Sequence, residues 1–339
     1  MNIAYVGQFE APHSTENEVA KALRKLGCNV IERQENQPAV WRGLAEGDML
    51  EGVDMLLWTR TGWDWPRYGI TQAEAHRLQR ATLLKAASMN IPTVGYHLDI
   101  WWGLRREAEV WTEPFFRVAL LATADGGHDP EWAAAGVKHV WFPPGVSEFE
   151  CEPGTYREEY ASDLAFVGSW QGGYHPEHAH RQQLVDFLRD TYGDRCRFWP
   201  KPGEHAVRGE ALRDLYASVK VLVGDSCLVP HKDGRPLEKY VSDRTMESTG
   251  RGGFLIHPAV EGVTDGSLLT DGKHLVTWPL GNFTALKERI DYYLDPAHEG
   301  ERVRIAAQGR AHVMETATYT VRMQTLLDLL VEKGYLAGQ

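Results

Sequence analysis

The sequence predicts an α/β protein of two doubly wound halves, each a parallel sheet covered by helices on both faces. Short, almost wholly apolar runs alternate with stretches of helical periodicity up to residue 142, and the alternation restarts at residue 163. Nearly continuous apolar runs are typical of parallel strands, which are buried on both faces. The acidic, proline-containing stretch between the two series predicts a linker. A chain of 339 residues is long enough for two domains.

Six strands are expected in the first half, at residues 2–7, 28–32, 53–58, 91–96, 118–123 and 137–142. A helix between the first two strands begins at Ser14 or Thr15, whose hydroxyl caps it, and ends at Gly27. Helical spacing of apolar residues predicts two more helices, around residues 45–51 and over residues 71–89. This strand–helix alternation is the order that a parallel sheet requires.

The second half repeats the pattern. Strands are expected at residues 163–168, 197–199, 219–224 and 252–257, and helices at residues 181–188, 212–218, 283–294 and 319–336. We therefore predict one domain at residues 1–150, a second at 151–318, and a carboxyl-terminal helix at 319–339. Ligands of doubly wound sheets bind at the carboxyl ends of the strands, so a ligand cleft is expected between the two halves.

Charge and cysteine content exclude several classes of protein. The net charge is −11, and residues 1–150 alone carry 14 basic and 20 acidic side chains, a net charge of −6. Neither half is basic, which excludes a general nucleic-acid-coating protein. The four cysteines lie far apart without a CxxC pair, so neither structural zinc nor a disulfide framework is indicated. With no apolar run of about 18 residues and no signal sequence, we expect a cytoplasmic protein without membrane insertion.

The segment from Ser242 to His257 carries the clearest functional pattern. It predicts a helix with Arg244 and Glu247 three residues apart on one face, followed by a glycine-rich turn and a buried strand. The amino end of a helix favours phosphate, an arginine pairs with a diphosphate, and a glutamate accepts hydrogen bonds from two neighbouring ribose hydroxyls. The alternative interpretation is a surface ion pair on an ordinary helix.

Four segments of the second half together resemble a known family. They are Arg-x-x-Glu-x4-Gly-Gly-Phe-Leu from Arg244, Asp-Gly-Lys-His-Leu-Val from Asp271, the helix ending in Tyr-Tyr-Leu at Leu294, and Ala-Gln-Gly-Arg-Ala-His-Val from Ala307. In this order and spacing they resemble the carboxyl half of GT-B glycosyltransferases of the group-1 type, which includes spore-maturation-protein-like enzymes. The resemblance covers about residues 160–335. It implies two Rossmann-like domains facing each other across a cleft, the first for the acceptor and the second for a nucleotide sugar. It also implies that the carboxyl-terminal helix at 319–339 packs back toward the first domain.

The resemblance also implies a donor site. In such enzymes a glutamate holds the ribose and an arginine the diphosphate, and arginines and helix dipoles neutralise the leaving group without a bound metal ion. We expect no bound cofactor, and a UDP-sugar is the first candidate for the co-substrate. Lys239 stands where retaining relatives carry a second glutamate, so the stereochemical outcome stays open. The donor-site residues implied by the resemblance are Gly168, Ser169, Arg181, Arg244 and Glu247. Asp243 and Trp199 complete the expected donor site, and Phe198 or Trp199 could stack on the base, which is expected near residues 197–203.

The catalytic base is expected at the end of a strand in the first half. Asp99 and His97 follow one strand at the sheet edge where ligands bind. Either side chain could take the proton of the acceptor hydroxyl as the glycosidic bond breaks, with Asp99 the first choice and His97 the second. An equally good interpretation makes Asp99 the cap of a helix over residues 101–107. Asp125 and His128, after the next strand, are expected to line the same cleft.

Tryptophan placement bears on the acceptor. Nine of the twelve tryptophans precede residue 142, and Trp63 and Trp65 could form a platform that stacks on a sugar or a base. Packing in the core is the alternative interpretation. Tyr-His-Leu-Asp-Ile-Trp from Tyr96 and Thr-Ala-Asp-Gly-Gly-His from Thr123 resemble bacteriophage-encoded glycosyltransferases. This resemblance implies a hydroxymethylated DNA pyrimidine or a virion protein as acceptor, in the cytoplasm of a bacterial host. A cell-surface or spore glycan stays open.

Two other functions fit the same sequence features. One is a nucleotide-sugar epimerase of the same fold, and the other is a non-enzymatic, two-lobed protein that binds a small molecule in its cleft. The spacing of His175, His178 and His180 matches no common metal site, so solvated loop histidines are the better interpretation.

Overall fold

A computed structural model describes residues 1–170, 179–229 and 235–337, which form two compact units. Unit 1 comprises Met1–Pro143 together with Tyr319–Gln339, and unit 2 comprises Pro144–Thr318. His175 and His178 lie outside the described residues. No helix within the described ranges is long and apolar enough to cross a membrane.

Eleven strands and eleven α-helices are found in the described parts of the chain. The strands are β1 (Asn2–Gly7), β2 (Asn29–Gln34), β3 (Met55–Thr59), β4 (Thr93–His97), β5 (Leu120–Thr123), β6 (His139–Trp141), β7 (Ser162–Val167), β8 (Cys196–Trp199), β9 (Val219–Val223), β10 (Leu255–Pro258) and β11 (Val276–Trp278). The helices are α1 (Thr15–Lys25), α2 (Pro38–Glu46), α3 (Gln72–Ser88), α4 (Glu109–Thr112), α5 (Asp129–Ala134), α6 (Ala179–Tyr192), α7 (Gly209–Ser218), α8 (Asp243–Gly250), α9 (Phe283–Leu294), α10 (Glu299–Thr316) and α11 (Tyr319–Glu332).

Unit 1 is a six-stranded parallel sheet in the order β2-β1-β3-β4-β5-β6. Successive residues of β1 face opposite layers: Ala4 and Val6 pack with residues of α2 and α3, whereas Ile3 and Tyr5 pack with residues of α1 and α11. The sheet is therefore covered on both faces, as the apolar runs predict. The last helix, α11, belongs to this unit and completes one of its two apolar layers.

Two helices of unit 1 illustrate what the local sequence controls. Ser14 Oγ accepts a hydrogen bond from the backbone N–H of Asn17 at 3.2 Å, so α1 has the predicted cap. The predicted start of α2 at residue 45 is wrong. The helix begins at Pro38, which fits the first turn because proline needs no N–H partner there, and it ends at Gly47 with φ +103°.

Unit 2 is a five-stranded parallel sheet in the order β11-β10-β9-β7-β8. The strand predicted from residue 252 begins instead at Leu255. Gly252 has φ +86°, and a Cβ on Gly253 would lie 2.4 Å from Leu222 Cδ1. The glycine pair therefore forms the tight turn that carries the chain from α8 into β10. Neither β11 nor α10 was expected from the sequence.

Candidate active site

The carboxyl edge of the unit 2 sheet holds a pocket of about 250 Å³. It is formed by the turns that follow β7 and β8, by the loop before α7, and by α8. Its lining residues are Val167, Gly168, Ser169, Trp170, Trp199, Pro200, Glu204, Ala206, Val207, Arg208 and Arg244. Four of the expected donor-site residues therefore line one pocket, namely Gly168, Ser169, Trp199 and Arg244. The lining does not include Arg181, Asp243 or Glu247.

Arg244 and Glu247 lie one turn apart on α8, as their spacing predicts. Arg244 Nη1 and Glu247 Oε2 are 2.8 Å apart and form an ion pair, although the two atoms are not aligned for a hydrogen bond. The two side chains are 26% and 22% exposed, so the ion pair is partly buried. Burial lowers the pKa of Arg244, but Glu247, Tyr216 and Asp243 together raise it more, and the net pKa lies above the usual range. Arg244 is thus a permanent cation at the pocket.

Arg181 does not line this pocket, and its guanidinium contacts other groups of the protein. Its Nε lies 2.9 Å and its Nη2 2.6 Å from the carboxylate of Asp225, and its Nη1 donates to the carbonyl oxygen of Ser169 at 3.0 Å. Nη2 also contacts Cys227 Sγ. Burial raises the pKa of Asp225, but the charge and the hydrogen bonds of Arg181 oppose this effect. The net pKa of Asp225 lies below its usual range. Arg181 therefore links the end of β7 to the end of β9, and most of its donors are already engaged.

A buried hydroxyl network anchors the amino end of α8. Ser226, which has φ +50°, places Oγ 2.6 Å from His257 Nε2, 2.9 Å from Thr245 Oγ1 and 3.1 Å from Ser242 Oγ. Burial lowers the pKa of His257 to about 4, so this imidazole is neutral. The network joins α8 to β9 and β10. Sequence reasoning missed it, because these residues are 16 to 31 positions apart and carry no motif.

His97 and Asp99 differ in exposure. His97 is buried at the end of β4, where Trp101 Nε1 lies 2.5 Å from its Nε2. Burial lowers its pKa to about 3, so it is neutral. The Asp99 carboxylate is 62% exposed and lies 3.4 Å from Arg106 Nη1. The interpretation of Asp99 as a helix cap is wrong, because the backbone N–H of Trp101 donates to Asp125 at 2.7 Å instead.

Asp125 and His128 lie together, but both are buried. Asp125 Oδ2 accepts the backbone N–H groups of Trp101 and Trp102 at 2.7 and 3.2 Å. His128 Nε2 is 3.9 Å from Asp125 Oδ1. Burial raises the pKa of Asp125 to about 7, although the two N–H donors lower it. In this structure Asp125 holds the loop after β4.

The predicted tryptophan platform is largely packed. Trp65 is only 3% exposed and offers no ring face to a ligand. Trp63 donates its indole N–H to Glu35 Oε2 at 2.5 Å, and Trp58 donates to Glu35 Oε1 at 2.7 Å. Glu35 also accepts the backbone N–H of Thr61 at 2.8 Å. This buried carboxylate, which follows β2, escaped the sequence analysis because its partners are 23 to 28 residues away.

Residues 1–170, 179–229 and 235–337 contain no candidate metal site. No group of three or more His, Cys, Asp or Glu side chains in these ranges could hold a metal ion.

Comparison with known proteins bears on the fold and on the family of part of the chain. A family model described as glycosyl transferase-like matches residues 178–328. No curated protein sequence matches the chain. Three solved structures share its fold across nearly the whole chain, and in each case the match covers 98% of this chain.

The first is Anabaena HepE in complex with UDP and glucose, with 12% sequence identity, a TM-score of 0.59 and all of that chain covered. The second is sucrose-phosphate synthase from Thermosynechococcus elongatus, with 11% identity, a TM-score of 0.59 and 100% of that chain covered. The third is a glycosyltransferase from Rickettsia africae, with 11% identity, a TM-score of 0.58 and 98% of that chain covered. The chain therefore has the GT-B fold of two Rossmann-like units, and its residues 178–328 match the glycosyl transferase-like family model.

Proposed function

We propose that this chain is a glycosyltransferase that moves a sugar from a nucleoside diphosphate sugar, with a UDP-sugar as the first candidate, to an acceptor hydroxyl. The pocket at the carboxyl edge of the unit 2 sheet carries this proposal. It combines the Gly168–Ser169 turn, apolar walls and the cation of Arg244, and the family model covers most of the same unit. The structure of HepE with UDP and glucose supports a uridine nucleotide as the first candidate.

Arg244 and Glu247 would divide the recognition of the nucleotide between them. The guanidinium is a permanent cation beside the pocket, so it would stabilise the negative charge that grows on the diphosphate as the bond to the sugar breaks. The carboxylate of Glu247, 2.8 Å from Arg244, would accept hydrogen bonds from the ribose hydroxyls. Donor binding would then exchange the ion pair for contacts with the nucleotide. We propose that the transfer proceeds without a bound metal ion, because the cation of Arg244 would offset the charge of the leaving group.

Asp99 is the base that we propose in unit 1. Its carboxylate is exposed to solvent, whereas the neutral imidazole of His97 is buried and contacts Trp101. Asp99 would take the proton of the acceptor hydroxyl while that oxygen bonds to the anomeric carbon and the nucleoside diphosphate leaves. Arg106, 3.4 Å from Asp99, would orient the carboxylate. The stereochemical outcome of the transfer stays open, because Lys239 stands where retaining relatives carry a second glutamate.

For the acceptor we propose a hydroxymethylated pyrimidine in DNA or a virion protein, as the resemblance of the first half implies. The net charge of −6 in residues 1–150 weighs against tight binding to a DNA backbone. A protein or glycan hydroxyl is therefore included in any test. Trp63, which is only partly buried, is the aromatic side chain that we propose for contact with the acceptor.

The test is product analysis. The protein is incubated with UDP-, GDP- and dTDP-sugars and with hydroxymethylated DNA, denatured virion protein or a glycan mixture, and free nucleotide and glycosylated product are measured. Transfer is expected with one donor and is expected to be lost in Glu247→Gln. Arg304→Ala is the matched control, because it removes an ion pair of the same i, i+3 spacing from α10, outside the pocket. Conversion of the donor into an isomer, or binding without chemistry, would instead support the epimerase or the binding protein.

A further inference from the structure

The turn that follows β9 is held by one buried carboxylate, that of Asp225. Asp225 is 5% exposed, and its Oδ1 accepts the backbone N–H of Cys227 at 3.0 Å. Ser226 and Cys227 have φ angles of +50° and +55°, in the left-handed region that is costly for residues other than glycine. Asp225 therefore stabilises a turn that the backbone alone would not favour, and none of these three residues lines the pocket.

Arg181, in the first turn of α6, joins this turn to a wall of the pocket. One edge of its guanidinium, Nε and Nη2, lies 2.9 and 2.6 Å from the carboxylate oxygens of Asp225. On the other edge, Nη1 donates to the carbonyl oxygen of Ser169 at 3.0 Å and Nη2 contacts Cys227 Sγ. Both edges of the guanidinium are thus occupied by the protein, and neither is left for the paired hydrogen bonds that an arginine makes with a diphosphate.

The pair of Arg181 and Asp225 is largely shielded from water, since the two side chains are 15% and 7% exposed. The guanidinium also lies over the ring of Phe166, 5.4 Å from its centroid. A shielded ion pair is attracted more strongly than a solvated one, and removal of one partner leaves the other charge without compensation. The position of Arg181, and with it the carbonyl of Ser169, therefore depends on Asp225.

We propose that Asp225 is a positioning residue for donor binding, which holds Arg181 and thereby fixes the Gly168–Ser169 turn that lines the pocket. Ser169 is exposed and lines the pocket, so the orientation of its peptide decides which groups a bound nucleotide meets there. The family resemblance implies a different role, in which Arg181 itself contacts phosphate. The effect on nucleotide binding rests on the proposed function, whereas the hold on the turn can be measured in the ligand-free protein.

The first measurement is the dissociation constant of UDP, by calorimetry on the full-length protein and on Asp225→Asn. This substitution removes the counter-charge of Arg181 with little change of shape. If Asp225 positions the turn, UDP binding should weaken about tenfold, the factor expected when about one residue must be ordered on binding. If Arg181 contacts phosphate directly, the same substitution frees its guanidinium, and UDP binding should be retained or become tighter. The two roles therefore predict opposite results.

The second measurement is hydrogen–deuterium exchange of residues 164–170 in the ligand-free protein, by mass spectrometry. Exchange should be faster than in wild type in Asp225→Asn and also in Arg181→Lys. The lysine keeps a cation beside Asp225, but a single ammonium cannot span both Asp225 and Ser169. Arg181→Lys thus tests the inference even where Asp225→Asn fails to fold.

A second arginine–aspartate pair of unit 2 supplies the matched controls. Arg157 Nε lies 2.9 Å from Asp214 Oδ2, the Asp214 side chain is 9% exposed, and neither residue lines the pocket. Asp214→Asn and Arg157→Lys should leave the dissociation constant of UDP within twofold of wild type and should not change exchange in residues 164–170.

The outcomes separate this inference from the proposed function. Retained or tighter UDP binding in Asp225→Asn would overturn the inference, as would unchanged exchange of residues 164–170 in both variants. Equal losses of affinity in Asp214→Asn would show a general effect of destabilising unit 2, which also overturns it. Failure of every nucleoside diphosphate to bind the folded wild-type protein would refute the proposed function, while the exchange measurement would still decide whether Asp225 holds the turn.

Discussion

Single buried carboxylates organise the loops at the carboxyl edge of the unit 1 sheet. Glu35 receives N–H groups from Trp58, Thr61 and Trp63, and Asp125 receives those of two residues after β4. Glu35 fixes the loop that follows β3, and Asp125 fixes the loop that follows β4. Neither role was visible in the sequence, since each depends on tertiary contacts over more than twenty residues. What the sequence did predict is the position of Asp99, an exposed side chain at the end of a strand.

Glu35→Gln is predicted to change how stability depends on pH. Burial raises the pKa of Glu35 from 4.5 to about 7, against the opposing effect of its N–H donors. A raised pKa means that the folded state binds the proton more tightly, so the associated stability is complete below about pH 4.5 and is lost as the pH rises through 7. Titration of Glu35 should lower the wild-type free energy of unfolding by about 3 kcal/mol between these pH values. The free energy of unfolding of Glu35→Gln should not show this decrease.

Urea unfolding at several pH values, followed by tryptophan fluorescence, measures this effect, because nine of the twelve tryptophans lie before residue 142. Glu46→Gln, at an exposed position on α2, is the control and should keep the wild-type slope. An unchanged slope in Glu35→Gln would contradict the assignment.

Asp99→Asn is predicted to lower kcat for sugar transfer about 10² to 10⁴-fold, because a general base contributes that much to such a step. The dissociation constant of the donor should stay within twofold, since Asp99 belongs to unit 1. Steady-state kinetics with calorimetry on the same samples checks both quantities. Asp48→Asn, an exposed carboxylate elsewhere in unit 1, should leave kcat unchanged. A full rate in Asp99→Asn would remove Asp99 from the mechanism.

At the scale of elements, the sequence predicted most strands and several helices, and the failures have physical reasons. The bounds of β1 and α9 were predicted correctly, because β1 is a short, nearly continuous apolar run and α9 has apolar residues at helical spacing. α10 was missed because its buried contacts involve a glycine and few apolar side chains: Gly309 packs against the carbonyl of His274 and the methyl of Thr249 on α8. A strand of three residues such as β11 is too short for any period to be read.

The close packing of α10 predicts that alanine substitutions at two of its glycines, Gly309 and Gly300, have opposite effects on stability. A Cβ at Gly309 would lie 2.2 Å from the carbonyl oxygen of His274, whereas a Cβ at Gly300 would meet nothing within 4 Å. Gly309→Ala should therefore destabilise unit 2 by about 1–3 kcal/mol or more through overpacking. Gly300→Ala should stabilise α10 by about 0.5–1 kcal/mol through helix propensity. Thermal unfolding measures both, and equal effects in the two variants would contradict the described contact between α10 and α8.

At the scale of the molecule, the last helix of the chain, α11, belongs to unit 1. Met323, Leu326 and Leu330 of α11 pack in the same apolar cluster as Val19 and Leu23 of α1. The sequence predicted the helix, from its amphipathic pattern, but its partner residues are three hundred positions away and cannot be read from local periodicity. Unit 1 is thus built from two separate stretches of chain, whereas unit 2 is continuous.

Deletion of residues 319–339 is predicted to destabilise unit 1 and to spare nucleotide binding by unit 2. The deletion exposes the apolar cluster on one face of the unit 1 sheet, at a cost of several kcal/mol. Limited proteolysis with mass spectrometry should show early cleavage within residues 1–143 and a protected fragment from unit 2. Simultaneous loss of both units would contradict the assignment of α11 to unit 1.

The central claim, that the unit 2 pocket binds the nucleotide of a sugar donor, is tested most directly by a thermal-shift panel of nucleoside diphosphates on wild type, Arg244→Ala and Glu247→Ala. A nucleotide at about 100 times its dissociation constant should stabilise the folded protein by about 2.7 kcal/mol. We predict a clear upward shift of Tm with the diphosphates of one base, UDP first, and loss of that shift in both variants. No shift with any nucleotide at saturating concentration, or a shift that survives both substitutions, would contradict the account.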